Sequence, residues 1–186
     1  VAELPDEEAL LLQLRDTRSR ANAFARLVNA YGPMLHRHLL RMLQSSADVD
    51  DVLQNTFVKV FRNLDRFRGD SKLSTWLYRI ATNEALSWLR SQQRRGRKFV
   101  SEGHQEMAQR NLSADPYFDG DAAQLELHRA LASLPDKQRA VFIFRYFDNL
   151  PYKQISEITG TSEGALKASH HLAVKKIEEK LKAYVQ

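Results

Sequence analysis

The chain has 186 residues, 43% of them hydrophobic and 27% charged, with seven Gly and five Pro; this is globular composition with room for one domain or two small ones. It has no cysteine, which excludes a disulfide scaffold, a thiolate zinc site and a cysteine nucleophile, and no run of 18 apolar residues that would cross a membrane. The net charge of +5 is modest, but a basic balance favours polyanionic partners.

The opening, VAELPDEEALLL, carries acids where a secretory signal carries bases. Together with the absence of cysteine this is compatible with a reducing cytoplasm. Residues 21–43 place Phe24, Leu27, Val28, Tyr31, Leu35, Leu39 and Leu43 on one helical stripe, with Gly32-Pro33 as a point of kinking or division. The next helix is predicted over 47–64, with Val49, Val52, Leu53, Thr56, Phe57, Val60, Phe61 and Leu64 inward and Ser46 as its cap. Asp50 and Asp51 fall in its first turn, where the helix dipole favours anions. A polar loop, DRFRGDSK, follows at 65–72 with one aromatic, Phe67, read as exposed. Residues 74–94 form another helix with Trp76, Leu77, Ile80, Ala81, Leu86 and Leu89 on its apolar side.

Charge then changes sign. Residues 86–98 carry five bases and no acid, and 99–126 carry six acids and one base. The segment around 99–120 also loses helical periodicity and holds two Gly and a Pro, so it reads as a linker. Helix resumes over 123–133, and Pro135 is a helix-start signal. Val141–Phe147 has the apolar run of a buried strand, but its length, the preceding Pro and the flanking Arg139 and Arg145 favour helix. Two further helices are predicted over 151–159 and 162–183, divided by Gly160-Thr161. The fold class is all-α: two small helical domains, 1–98 and 123–186, joined by a flexible linker at 99–122.

The last two helices have helix-turn-helix grammar. Ile155 and Ile158 face inward, Gly160 supplies a left-handed turn, Ser162 caps the second helix, and Leu166, Leu172 or Ala173, and Ile177 face the core. That leaves Lys167, Ser169, His170 and His171 on or near the outer face, where a recognition helix reads the major groove. A two-helix corner of an ordinary bundle has the same pattern. In the other half, Arg79, Arg90, Arg94 and Arg95 can follow a phosphate backbone. Phe67 and Asn83 offer a stacking surface and an amide suited to an extruded base. Basic residues at the end of a helix also suit its dipole without any ligand.

Four segments in order, DVDDVLQNTFVKVFRNLDRF, FRGDSKLSTWLYRIATNEALSWLR, LPDKQRAVFIFRYFDNLPYKQISEI and TSEGALKASHHLAVKKIEEKL, resemble the extracytoplasmic-function (ECF) sigma factors of the sigma-70 family. The similarity spans nearly the whole chain outside its first residues and the linker. It implies a non-enzymatic, cytoplasmic promoter-specificity subunit of core RNA polymerase, with no catalytic residue, cofactor or metal, and an anti-sigma factor as a further partner. It implies polymerase contacts at Asp48, Asp51, Gln54, Asn55 and Val58. It implies −10 element contacts at Phe67, Arg68, Gly69, Asp70, Ser71, Arg79, Asn83, Arg90 and Arg94. It also implies −35 element contacts at Lys153, Ser162, Lys167, Ser169, His170 and His171. Trp76 and Trp88 tempt a role as melting wedges, but Trp76 lies on the apolar stripe and reads as core.

The run ALKASHHLAVKK departs from the arginine-rich recognition helices common in the family, so a different −35 sequence or weaker reading is expected. His170 and His171 project about 100° apart and do not converge on one metal. His36 and His38 read as surface or half-buried residues. The competing readings are an autonomous helix-turn-helix regulator and a helical nuclease built on Asp48, Asp50 and Asp51. Adjacent acids on different helix faces argue against the nuclease, and no phosphate-cradling GxxxxGK[ST] loop is present.

Overall fold

The computed structural model describes residues 6–96 and 122–185. Among them are eight α-helices, one short 3-10 turn and no strand, so the run at Val141–Phe147 is helical as far as Tyr146, with Phe147 as the C-cap. The expected linker, 99–122, lies outside the described residues except for Ala122, which begins a helix.

Helix α1 (Glu7–Arg15) is an element the periodicity reading passes over. It spans nine residues, with Asp6 capping the Glu8 amide and Leu10 and Leu14 buried. Helix α2 (Arg20–Leu43) runs unbroken through Pro33. Pro33 and Asn29, whose carbonyl loses its donor there, both lie on the solvent side, so the lost bond does not divide the helix. Helix α3 (Ser46–Asn63) is capped by Ser45, whose Oγ accepts from the Asp48 amide; Ser46, the expected cap, is already its first residue. The 3-10 turn Leu64–Arg66 leads into the 67–72 loop, where Gly69 takes φ +83°. Helix α4 (Leu73–Gly96) starts with its Leu73 amide donating to Glu7 Oε1 at 2.6 Å, which ties α1 to the loop's end.

The second half comprises α5 (Ala122–Ala132), α6 (Asp136–Tyr146), α7 (Tyr152–Thr159) and α8 (Glu163–Val185). Pro135 and Pro151 stand at the N-caps of α6 and α7, and Gly160 ends α7 at φ +69°. Ser162 Oγ accepts from the Ala165 amide and so caps α8 as expected.

Leu27, Leu35, Leu39, Val49, Val60, Leu73 and Leu77 pack together in the first half, while Leu131, Leu134, Phe142, Ala173 and Ile177 form a smaller cluster in the second. The larger cluster continues across the seam into Ala140, Val141, Ile143, Phe144, Ile155 and Ile158. Helices α6 and α7 thereby pack against α2 and α4.

That seam is also polar. His38 is fully buried rather than surface or half-buried. Its Nδ1 lies 2.7 Å from Asp148 Oδ2, its Nε2 lies 3.2 Å from Thr82 Oγ1, and its ring stacks on Phe144 at 4.6 Å. Arg139 Nη1 donates to the Met42 carbonyl at the end of α2, and Gln44 Nε2 donates to the His128 carbonyl on α5. Burying such groups is costly unless they find partners, so these bonds help specify how the halves meet.

Candidate nucleic-acid interface

On α3, Asp51, Gln54, Asn55 and Val58 are all exposed. Their spacing of three, one and three residues puts them on one stripe. Asp48 is half-buried beside its Ser45 cap. Phe61, expected in the core, is 42% exposed and extends the stripe by one turn next to Val58 at 41%. It is held from behind by Phe24, whose ring centroid is 5.0 Å away, and by the Arg20 guanidinium at 5.2 Å. The stripe therefore passes from acid and amide to apolar, a combination suited to a partner protein. Its sequence signal was the three-residue step from Val58.

The loop after α3 borders a cleft. Arg66 contributes from the 3-10 turn, Arg68, Asp70 and Ser71 from the loop, Trp76 and Arg79 from α4, and Glu157 from α7. Three guanidinium groups and two carboxylates line it. Phe67 also lines this cleft but is only 6% exposed, not the free platform expected, because its ring packs on Trp76 at 5.0 Å. Trp76 is half-buried against the core, as is Trp88. Gly69 provides the left-handed residue that lets Arg68 and Asp70 stand out into solvent.

Along α4, Arg79, Asn83, Arg90 and Arg94 follow one another at four, seven and four residues, which keeps them on one face. All four are exposed. Arg79 Nη2 is engaged by the Glu157 carbonyl at 2.6 Å. Arg90 folds back on its own helix, donating to the Leu86 carbonyl and to Ser87 Oγ. Asn83 opens into a second cavity whose other wall carries Lys137 of α6, Thr159 of α7 and Ser169 of α8.

In the helix-turn-helix, Lys153, Ser162, Lys167 and His171 are exposed, whereas Ser169 and His170 are half-buried. His170 Nδ1 meets the Tyr152 hydroxyl at 3.0 Å and its ring stacks on Phe142. Burial, together with the positive charge of Arg145 and the neighbouring His171, holds its pKa below the ordinary 6.5. The reason is registry: residues 169 and 170 fall three and four positions after the buried Leu166, on the core side. Ala173 is the buried residue of the Leu172/Ala173 pair, and Leu172 is 48% exposed. The stripe that reaches solvent is Lys167, His171 and Lys175, and Lys175 is a candidate the sequence reading did not include. A four-residue step from His171 identifies it.

Among the described residues, no three of His, Asp and Glu gather as metal ligands would, and no helix is long and apolar enough to cross a membrane.

Residues 27–95 match the family model for Sigma-70 region 2, and residues 124–177 match that for Sigma-70 region 4. The chain is 31% identical over 170 residues to the ECF RNA polymerase sigma factor SigW of Bacillus subtilis, covering 87% of this chain and 90% of that protein. It is 32% identical over 152 residues to the ECF RNA polymerase sigma-E factor of Escherichia coli K12, covering 76% and 78%. Among solved structures, the sigma factor RpoE in complex with the anti-sigma factor NepR from Bartonella quintana superposes with a TM-score of 0.70 at 23% identity, covering 86% of this chain and 96% of that one. CnrH in complex with the cytosolic domain of CnrY gives a TM-score of 0.65 at 23% identity, covering 95% and 97%.

Proposed function

The chain belongs to the extracytoplasmic-function sigma factors of the sigma-70 family, and from that premise we propose how its residues divide the work of promoter-specific transcription initiation. Residues 1–98 bind core RNA polymerase and read the −10 element. Residues 123–186 read the −35 element. The chain is a specificity subunit in the cytoplasm, without chemistry of its own.

The α3 stripe of Asp51, Gln54, Asn55 and Val58, with Asp48 at its start, meets the polymerase. Its acids steer encounter with a basic surface, and the apolar Val58 and Phe61 supply area that leaves water on docking. On the −10 side, Phe67 to Ser71, Arg79, Asn83, Arg90 and Arg94 receive the non-template strand. The guanidinium groups pair with phosphates, and the Asn83 amide offers both a donor and an acceptor to a base edge. Phe67, buried against Trp76, shapes the cleft wall. Melting is driven by capture of unpaired bases and not by nucleotide hydrolysis.

On the −35 side, Lys167 and His171 reach base edges or phosphates from α8, while Lys153 and Ser162 approach the backbone near its start. Ser169 and His170 support that helix from its inner side. An anti-sigma factor is a further partner, a reading supported by the complex in which the similar RpoE is held.

The observation that carries this reading is the pairing, in one chain and in order, of a cationic cleft flanked by an exposed mixed stripe with a helix-turn-helix. Run-off transcription with core polymerase and a promoter library tests it. Start-site selection that depends on the chain supports it. Tight duplex binding by the chain alone, with no effect on polymerase, would replace it with an autonomous regulator.

A further inference from the structure

The 67–72 loop feeds directly into the first turn of α4, the helix that carries Arg79 and Asn83. The residue at that junction is Lys72, whose carbonyl accepts from the Trp76 amide at 3.2 Å and so occupies the N-cap position. A lysine side chain has donors only, so it satisfies none of the amides left open at a helix start. The acceptor comes from elsewhere in the chain. Glu7 Oε1, on the first turn of α1, accepts from the Leu73 amide at 2.6 Å across 66 positions. Leu73 is fully buried, so water does not take the place of that acceptor in the folded chain. Acids in a first turn suit the dipole of their own helix, but Glu7 is half-buried and its carboxylate is turned to α4. A charged acceptor at the positive end of α4 makes a stronger bond than a neutral one. Burial, and then the negative charge of Glu7, push the pKa of the Tyr31 hydroxyl above its ordinary value, in keeping with a carboxylate that faces inward.

Helix α1 is itself firmly mounted. Leu10 and Leu14 are buried, Arg26 Nη1 donates to Gln13 Oε1 at 2.7 Å, and Ser19 Oγ donates to the Gln13 carbonyl at 2.8 Å. The loop is thus held at both ends. At its start the Phe67 amide donates to the Leu64 carbonyl and the Phe67 ring packs on Trp76; at its end Glu7 holds Leu73. Between these ends Arg68, Gly69 and Asp70 are exposed. Resting on the function proposed above, we infer that Glu7 is a positioning residue for the −10 element: by capping α4 from α1 it fixes where the loop joins the helix, and so sets the loop's polar groups against Asn83. Reading a base edge requires donors and acceptors placed to within about half an ångström, and a loop already ordered binds without the cost of ordering it. Without the Glu7 oxygen the Leu73 amide loses its acceptor, the first turn of α4 loosens, and the loop shifts relative to Asn83. The guanidinium groups still attract the strand, but base identity is read less well.

The test reconstitutes holoenzyme from core RNA polymerase and the full chain. The probes are two fluorescein-labelled single strands of equal length. One carries the −10 sequence selected by run-off transcription from the promoter library, and the other carries the same bases scrambled. Glu7→Ala is expected to lower discrimination between them by about fivefold or more, the scale of one base contact, with affinity for core polymerase within about twofold of the parent. A fold defect alone weakens both strands alike and leaves their ratio unchanged. Glu7→Gln, whose side-chain oxygen still accepts from Leu73, should keep discrimination within about twofold. Parental discrimination in Glu7→Ala, an equal loss on both strands, or a Gln variant as poor as the Ala one overturns the inference. Should Glu7→Ala fail to fold, Glu7→Asp carries the test: it keeps the charge but is one methylene shorter. A loss of about threefold is expected there, and discrimination equal to the parent's overturns the inference. Asn83→Ala tells what has failed. If it lowers discrimination, only the role of Glu7 is refuted; if it does not, the assignment of α4 to the −10 element falls as well.

Discussion

His38 Nδ1 lies 2.7 Å from Asp148 Oδ2, joining two residues 110 positions apart inside the seam between the halves. The Asp148 side chain is only 6% exposed, and Arg41 Nη1 stands 4.0 Å from its other oxygen. Asp148→Ala is expected to lower unfolding stability by ~1–3 kcal/mol, the cost of an unpaired buried partner. A double-mutant cycle with His38→Ala in urea should give a clear coupling energy. Asp65→Ala, which removes an exposed carboxylate paired with the half-buried Arg20, should cost less than ~1 kcal/mol. Equal losses at the two sites would argue against the seam as a structural contact.

Asn83→Ala removes an exposed amide without opening a core cavity. Run-off transcription is expected to fall in line with a lost base contact of ~1–3 kcal/mol, while affinity for core polymerase stays within about twofold. Phe67→Ala differs, because Phe67 is buried on Trp76. It should lower thermal stability as well as transcription. A polymerase-binding defect in Asn83→Ala would move this residue out of the promoter site.

Charge reversal by Asp51→Lys with Gln54→Lys should weaken core polymerase binding by at least ~tenfold, about 1.4 kcal/mol. Val58→Asp should act in the same direction by placing a charge in an interface that excludes water. Circular dichroism should be unchanged, since all three side chains are exposed. Unaltered affinity in fluorescence anisotropy would remove the α3 stripe from the interface.

Lys167→Ala should reduce discrimination between matched and mismatched −35 duplexes by ~1–3 kcal/mol if its ammonium reads a base. A uniform loss across sequences, with a smaller salt slope, would instead assign it to phosphate. His170→Ala should leave selectivity intact and reduce stability, because its imidazole is spent on Tyr152 and Phe142.

His170 also sets a pH dependence. Its folded pKa is below the ordinary 6.5, first because burial disfavours the charged ring and then because Arg145 and His171 repel the proton. Below 6.5 the unfolded chain therefore binds more protons at this site than the folded one. Unfolding free energy therefore rises with pH in that window: the stability is whole above 6.5 and is lost as pH falls from there through the lower folded pKa. The urea midpoint of the parent should drop more between pH 7 and pH 5 than that of His170→Asn. Parallel shifts in the two proteins would refute the assignment.

Much of this molecule was legible from local pattern. Helical periodicity found seven of the eight helices among the described residues, and Gly160, Pro135 and Ser162 marked boundaries through backbone constraints that act within a few residues. The same arithmetic, taken further, would have turned His170 inward from Leu166 and brought Lys175 outward from His171. Helix α1 escaped because nine residues give too few turns for a stripe to stand out.

The chain's order of residues therefore determined the all-α class, the helix-turn-helix and the sites of concentrated positive charge, since propensity, capping and spacing are short-range. Tertiary structure alone decided that His38 is buried against Asp148, that Phe67 packs on Trp76, and that Glu157 meets Arg79. The latter contacts join residues up to 110 apart, and their formation depends on how two apolar surfaces exclude water together. No periodicity within either segment encodes that pairing.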